Sequence, residues 1–195
     1  MMHSLPVGGE RRVDRGVVLA ASLPVVATFG LSSAPVVLDE AQREFGATAG
    51  TASWILVGYM LAMGVTNPAM GKLADVRGTR CVLLVGAAFL LAGSLCCLAA
   101  GSMTVLIAGR VLQGVGAAGT SNAGLALLSV SGNCGERTRR LGWLTAGSSV
   151  VLGVGALVGA VVGMVGWRWV LVLPLAAGLL AVATAAYPGV RGEPA

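Results

Sequence analysis

Arg110 sits in the stretch LIAGRVLQGVGAAG, with apolar or small residues on both sides and Gln113 three positions on. Residues three apart share a helix face, so the guanidinium and the amide are neighbours if the stretch is helical. No other charge in the chain is so enclosed by apolar sequence. A helix starting near residue 104 puts Arg110 about 9 Å below its outer end. An arginine at that depth in lipid is costly unless it faces a cavity or a partner, which makes it a functional candidate. The alternative is a long side chain that snorkels back to the outer interface.

A second polar group is GKLADVRGTR, residues 71–80, between two long apolar runs. Gly71 and Gly78 allow tight turns and close backbone approach. Asp75 stands among Lys72, Arg77 and Arg80 just before a helix start. A carboxylate there can accept helix N-terminal amides and pair with any of the three bases. Such a cluster can act as a latch whose pairing differs between conformations. It can also be a solvated loop that stops one apolar run and begins the next.

The remaining inventory mostly excludes chemistry. The eight acids are Glu10, Asp14, Asp39, Glu40, Glu44, Asp75, Glu136 and Glu193, all expected in tails or loops. The cysteines Cys81, Cys96, Cys97 and Cys134 lack metal-ligand spacing, and the one histidine, His3, lies near the start. Cys96 and Cys97 fall inside an apolar run and read as reduced small hydrophobes. No acid pair, membrane histidine or nucleophile–base pair supports an intramembrane enzyme. Neither a metal nor another cofactor is expected.

The elements that carry these residues follow from composition. Of 195 residues, 56% are hydrophobic, 11% are charged and 30 are glycine. Apolar runs of about 20 residues recur in series, matching a hydrocarbon layer of about 30 Å at helical rise. The runs are too long and too continuously apolar for barrel strands. The fold class is therefore an all-α membrane protein. Six spans are expected at about 17–38, 51–70, 81–100, 104–130, 141–164 and 168–187. They form one bundle over about 17–187, between tails of about 1–16 and 188–195. Short connections make sequential helices antiparallel neighbours. The first run follows Arg11, Arg12 and Arg15 as a signal peptide would, but it is about twice a typical signal core.

Charge sets the orientation. If the N-terminus is cytoplasmic, inner segments hold Arg11, Arg12, Arg15, Lys72, Arg77, Arg80, Arg137, Arg139, Arg140 and Arg191. Outer segments hold Arg43 and Arg168. Ten against two places both termini inside by the positive-inside bias. This also accounts for the net charge of +5 without nucleic acid, for which no basic stripe with interleaved aromatics exists. Trp54, Trp167 and Trp169 fall near the outer interface, Trp143 and Tyr187 near the inner one; each is a belt residue or a packing residue. Pro24, Pro35, Pro68 and Pro174 lie in or at the ends of spans, where proline bends a helix. In the fifth span Gly155, Gly159 and Gly163 repeat every fourth residue, a face on which another helix can sit closely.

These motifs resemble one family. GKLADVRGTRCVL resembles the signature loop of the major facilitator superfamily, G-x-L-a-D-r-x-G-r-r-x-x-l, with Gly71, Leu73, Ala74, Asp75, Gly78, Arg80 and Leu83 in place. LIAGRVLQGVGAAG is similar to its fourth-helix motif, matched by Arg110, Gln113, Gly114, Gly116 and Ala117. ASWILVGYMLAMGVTNPAMGKLAD and GWRWVLVLPL resemble the second helix and the turn into the sixth helix of drug-efflux members. The resemblance covers about residues 17–187 and points to drug:proton antiporters of the 14-helix type. It implies small-molecule efflux across the cell membrane. It assigns Arg110, with Gln113, Gly114 and Thr28, to the substrate or proton pathway, and residues 71–80 to a cytoplasmic gate.

The sequence also departs from that pattern. Val76 and Thr79 stand where the signature loop usually has bases, which weakens a latch. Of the first-helix pattern D-x-T-x-x-N-x-A-L-P, Thr28 is kept while Val26 and Leu31 replace the Asp and Asn. The fifth-helix G-P-x-x-G-G register reads Gly155, Ala156, Leu157, Val158, Gly159, Ala160, without proline. The family pairs two six-helix halves about a central site. This chain is expected to be the first half, working as a homodimer or with a second six-helix half, with membrane lipid around it and a small molecule as substrate. The alternative is a membrane interaction protein without transport, docking through the glycine face of span five, or an inactive relic.

Overall fold

A computed structural model describes residues 34–129, 134–164, 166–171 and 173–186. Seven helices are described: α1 (Ala34–Phe45), α2 (Ala49–Arg77), α3 (Thr79–Leu98), α4 (Met103–Ser129), α5 (Cys134–Gly163), α6 (Trp167–Val170) and α7 (Leu173–Ala186). No strand occurs among the described residues. The tails and most of the first expected span, with Thr28 and Pro24, lie outside them.

Helix ends follow local chemistry more than hydropathy. Thr48 caps α2, its hydroxyl accepting the Thr51 amide at 3.3 Å. The helix runs through Pro68 to Arg77, seven residues beyond the expected span. Polar side chains past the hydrocarbon can be solvated while the backbone stays helical, so the apolar boundary is not the helix boundary. Gly78 alone separates α2 from α3, at φ 80 and ψ 157. That region is open essentially to glycine alone, so one residue without a Cβ reverses the chain. The sixth expected span is two helices, α6 and α7, with Pro174 as the second residue of α7. A proline tolerates that first-turn position because amides there have no intrahelical acceptor.

The bundle is organised around α4. It packs along α3 on one side and α2 on the other, and α3 in turn carries α7. The α3–α4 contact is backbone against backbone. A Cβ on Gly93 would lie 2.7 Å from the Gln113 amide nitrogen and the Gly109 oxygen. One on Gly116 would lie 2.5 Å from the Leu90 nitrogen and 2.7 Å from the Gly86 oxygen. Gly86 and Gly93, seven apart on α3, thus face Gly109 and Gly116, seven apart on α4. Lipid supplies no hydrophobic drive between helices, so van der Waals contact from such approach holds them. Smaller groups complete the seam, including Leu83, Ala87 and Ala123 with Ala181 and Ala185 of α7.

Apolar residues also cover the outside. Trp54, Leu61, Val65, Leu157, Val161 and Met164 are exposed, the reverse of a water-soluble surface. Among the described residues, four helical stretches are long and apolar enough to cross a membrane: Ala49–Arg77, Thr79–Leu98, Leu141–Gly163 and Trp167–Ala186. The helix α4 is long enough at 27 residues, yet carries Arg110, Gln113, Thr120, Ser121 and Asn122. Of these all but the half-buried Asn122 are buried, so the polar load faces neighbouring helices, not lipid.

Candidate functional site

Arg110 is 2% exposed, in the seam where α4 meets α2. Its Nε donates to the Ile55 carbonyl at 3.3 Å, and its Nη1 to Gln113 Oε1 at 3.0 Å. The guanidinium carbon lies 4.6 Å from the centroid of the Tyr59 ring. Gln113, fully buried, donates through Nε2 to Ser94 Oγ on α3 at 3.0 Å. Gly114 lets the helices meet there, since a Cβ on it would strike the Tyr59 carbonyl oxygen. Arg110 and Gln113 therefore sit inside a three-helix junction. Among the described residues both groups are buried and bonded to neighbouring helices. The Ile55 carbonyl, one turn before Tyr59, and the ring face supply the environment that makes an arginine tolerable at this depth.

The 71–80 motif is helical on both sides of Gly78, not a loop. Gly71 to Arg77 form the last two turns of α2, and Arg80 lies in the first turn of α3. Lys72, Asp75, Arg77 and Arg80 are all exposed, Gly71 is half-buried and Gly78 is buried. Among the described residues Asp75 makes no ion pair, so the expected latch with Lys72, Arg77 or Arg80 is not closed there. The acids expected in loops lie on helices: Asp39 and Glu40 midway along α1, and Glu44, Asp75 and Glu136 near the ends of α1, α2 and α5. A further polar contact lies about one turn before the motif. Asn122 Nδ2 on α4 donates to Asn67 Oδ1 at 2.8 Å, beside Pro68 on α2. It ties the two helices where proline removes a backbone donor.

At the opposite end of the bundle the helices are joined by Glu44. Its Oε2 accepts from Trp167 Nε1 and its Oε1 from Arg168 Nη2, each at 2.7 Å. Arg168 also donates to the Ala100 carbonyl at 3.4 Å and lies over the Trp167 ring. Three connections meet there: the end of α1, the α3–α4 turn and the turn into α6. Trp167 is thus a packing residue, while Trp54, Trp143 and Trp169 are exposed as belt residues would be. Gly155, Gly159 and Gly163 are each buried along α5, whose other faces are largely exposed. Cys81, Cys96 and Cys97 are free thiols, and no group of metal-ligating side chains occurs among the described residues.

Comparison with known proteins bears on the motifs at both ends of this arrangement. The family model described as Major Facilitator Superfamily matches residues 20–195. The chain belongs to the major facilitator superfamily. It is 34% identical to the multidrug resistance protein B homolog of Mycobacterium tuberculosis, over 97% of this chain and 37% of that protein. It is 33% identical to the methylenomycin A resistance protein of Streptomyces coelicolor, over 92% of this chain and 38% of the relative. It is 32% identical to efflux pump apf11 of Gibberella fujikuroi, over 68% of this chain and 24% of the relative. The chain spans a little over a third of the length of the first two. As a facilitator it is a multi-pass membrane protein of a carrier family.

In this facilitator several contact residues had no distinct signal in the sequence. Ser94 lies in an apolar run as a single polar atom, indistinguishable from filler without the neighbouring helices, and Tyr59 was visible only as part of the second-helix resemblance. The seven-residue repeats of Gly86 and Gly93, and of Gly109 and Gly116, were legible in principle as a spacing. They were hidden in a chain where glycine is frequent everywhere. The fifth-span repeat at every fourth residue is the more visible pattern, and it marks a different face.

Proposed function

We propose that this chain works as part of an efflux carrier, exporting small molecules across the cell membrane. The observation that carries the proposal is the match to drug-resistance members of the superfamily over nearly the whole chain. The burial and bonding of Arg110 at the α2–α3–α4 junction support it, because the family's fourth-helix arginine stands there. Alternating access needs a second body against which this bundle rocks. A second copy of this chain or a different six-helix half supplies it. The exposed apolar faces of α2 and α5 are available for such a body as well as for lipid.

The chain acts as a carrier and not as an enzyme. It lies in the plasma membrane with both termini in the cytoplasm, a placement supported by the exposed Lys72, Arg77 and Arg80 at one end of the bundle and the single Arg168 at the turn into α6. The gate role of residues 71–80 is reached through the second body. Asp75 has its partner there, since it is exposed and makes no ion pair among the described residues.

Ethidium efflux from cells expressing the chain tests the reading, with crosslinking in the same membranes to detect the second body. Arg110→Ala is expected to abolish efflux at unchanged expression. Unchanged efflux would show that Arg110 has no part in transport, and a strict monomer would remove the second body.

A further inference from the structure

We infer that Ser94 on α3 and Tyr59 on α2 are positioning residues that fix the Arg110 guanidinium, a role that rests on the transport reading above. Arginine presents only donors, so the Gln113 amide must turn its oxygen to Arg110. The opposite end of that amide, the NH2 group, then needs an acceptor. Ser94 Oγ is that acceptor at 3.0 Å, on a different helix and fully buried. The polarity of the chain is therefore set end to end. Serine accepts from glutamine, glutamine accepts from arginine, and arginine donates onward to Ile55 at 3.3 Å.

Room for this chain comes from Gly93. A Cβ there would lie 2.9 Å from Gln113 Cγ, so the missing side chain beside Ser94 is the space the glutamine stem fills. Tyr59 closes the other side. Its ring is 2% exposed and stands 4.6 Å from the guanidinium carbon, giving a π face in place of water. Among the described residues, groups from three helices thus act together on where one cation points. A shift of α3 along α4 breaks the serine bond first, and the glutamine amide then has no acceptor across the seam. Removing the Ser94 hydroxyl does the same without moving a helix, because a buried amide donor left unpaired seeks another acceptor.

The chain has two tyrosines, Tyr59 and Tyr187. Fluorotyrosine labelling in a Tyr187→Phe background leaves one fluorine NMR signal, reporting the ring against Arg110. Arg110→Lys is expected to shift it. Ser94→Ala is expected to shift it too, although Ser94 bonds to Gln113 and not to the ring. Ser94→Thr, which keeps the hydroxyl, is expected to restore the original position. In ethidium efflux, Ser94→Ala is expected to lower the maximal rate about two- to tenfold, the factor of one hydrogen bond, with half-saturation unchanged. Tyr59→Leu is expected to lower the rate more than Tyr59→Phe, which keeps the ring face.

An unmoved signal in Ser94→Ala at full helix content overturns the inference. So does a threonine variant that behaves like alanine. If Ser94→Ala loses helix content, Gln113→Met breaks the same chain with little change in volume, and the same two readings apply. Absence of ethidium efflux from the unaltered chain overturns the transport reading alone, and the fluorine signal still decides the positioning.

Discussion

A guanidinium at 2% exposure has surrendered its water, and what replaces that water decides whether it can stay charged. At Arg110 the replacements include a carbonyl, an amide oxygen and an aromatic face, all oriented by backbone or by a further hydrogen bond. Lysine offers one compact point charge where arginine offers a planar fork, so it cannot reach Ile55 and Gln113 together. Gly78 is the other residue on which a single atom matters. Its φ of 80 with ψ of 157 is closed to side chains, and it alone turns α2 into α3. Gly78→Ala is expected to lower stability by about 1–3 kcal/mol. Thermal unfolding in detergent would record this as a lower midpoint, and an unchanged midpoint would mean that the turn relaxes without strain.

Among the described helices, α4 carries the most buried polar side chains, and its position explains why. It is enclosed by α2 and α3, so its polar side chains meet helices and its glycines meet backbone. The α3–α4 seam is built on distances that a methyl group would violate. Gly93→Ala must push Gln113 or the Gly109 backbone away and is expected to cost about 1–3 kcal/mol as overpacking. Gly64→Ala on α2, where nothing lies within 4 Å, is the matched control and is expected to be neutral or slightly stabilising. Comparing the two thermal midpoints separates the loss of the seam from the general effect of adding a methyl to a helix. Equal shifts would mean the seam opens readily, against the close approach described here.

On the scale of the molecule, the two ends differ in what they carry. One end exposes Lys72, Arg77 and Arg80, while at the other Arg43 is exposed and Arg168 is committed to Glu44 and Ala100. The committed end ties three connections together, and the uncommitted end leaves Asp75 and its bases open to another body. Single cysteines placed at Lys72 and at Arg43, in a chain freed of Cys81, Cys96, Cys97 and Cys134, test the orientation. A thiol reagent that cannot cross the membrane is expected to label Arg43→Cys in intact cells. It should reach Lys72→Cys only after the cells are opened. The opposite pattern would invert the topology and remove the charge argument with it.

Much of this was determined by the sequence alone. Apolar length, glycine content and the ten-to-two asymmetry of basic residues establish a polytopic helical protein, because lipid leaves the backbone few options. The identity of Arg110, Gln113 and the 71–80 motif as the polar features of an apolar chain was also legible. Three things were not. The helix α2 runs to Arg77 because helical geometry persists past the hydrocarbon edge, where hydropathy stops reporting. The Arg110 group is a junction of three helices because Ser94 and Ile55 come from segments 16 and 55 residues away, and only packing brings them near. The α3–α4 seam is built on Gly86, Gly93, Gly109 and Gly116, a spacing less visible than the regular stripe on α5. A one-dimensional pattern records where small residues are, while which face meets a neighbour is settled by how the helices cross.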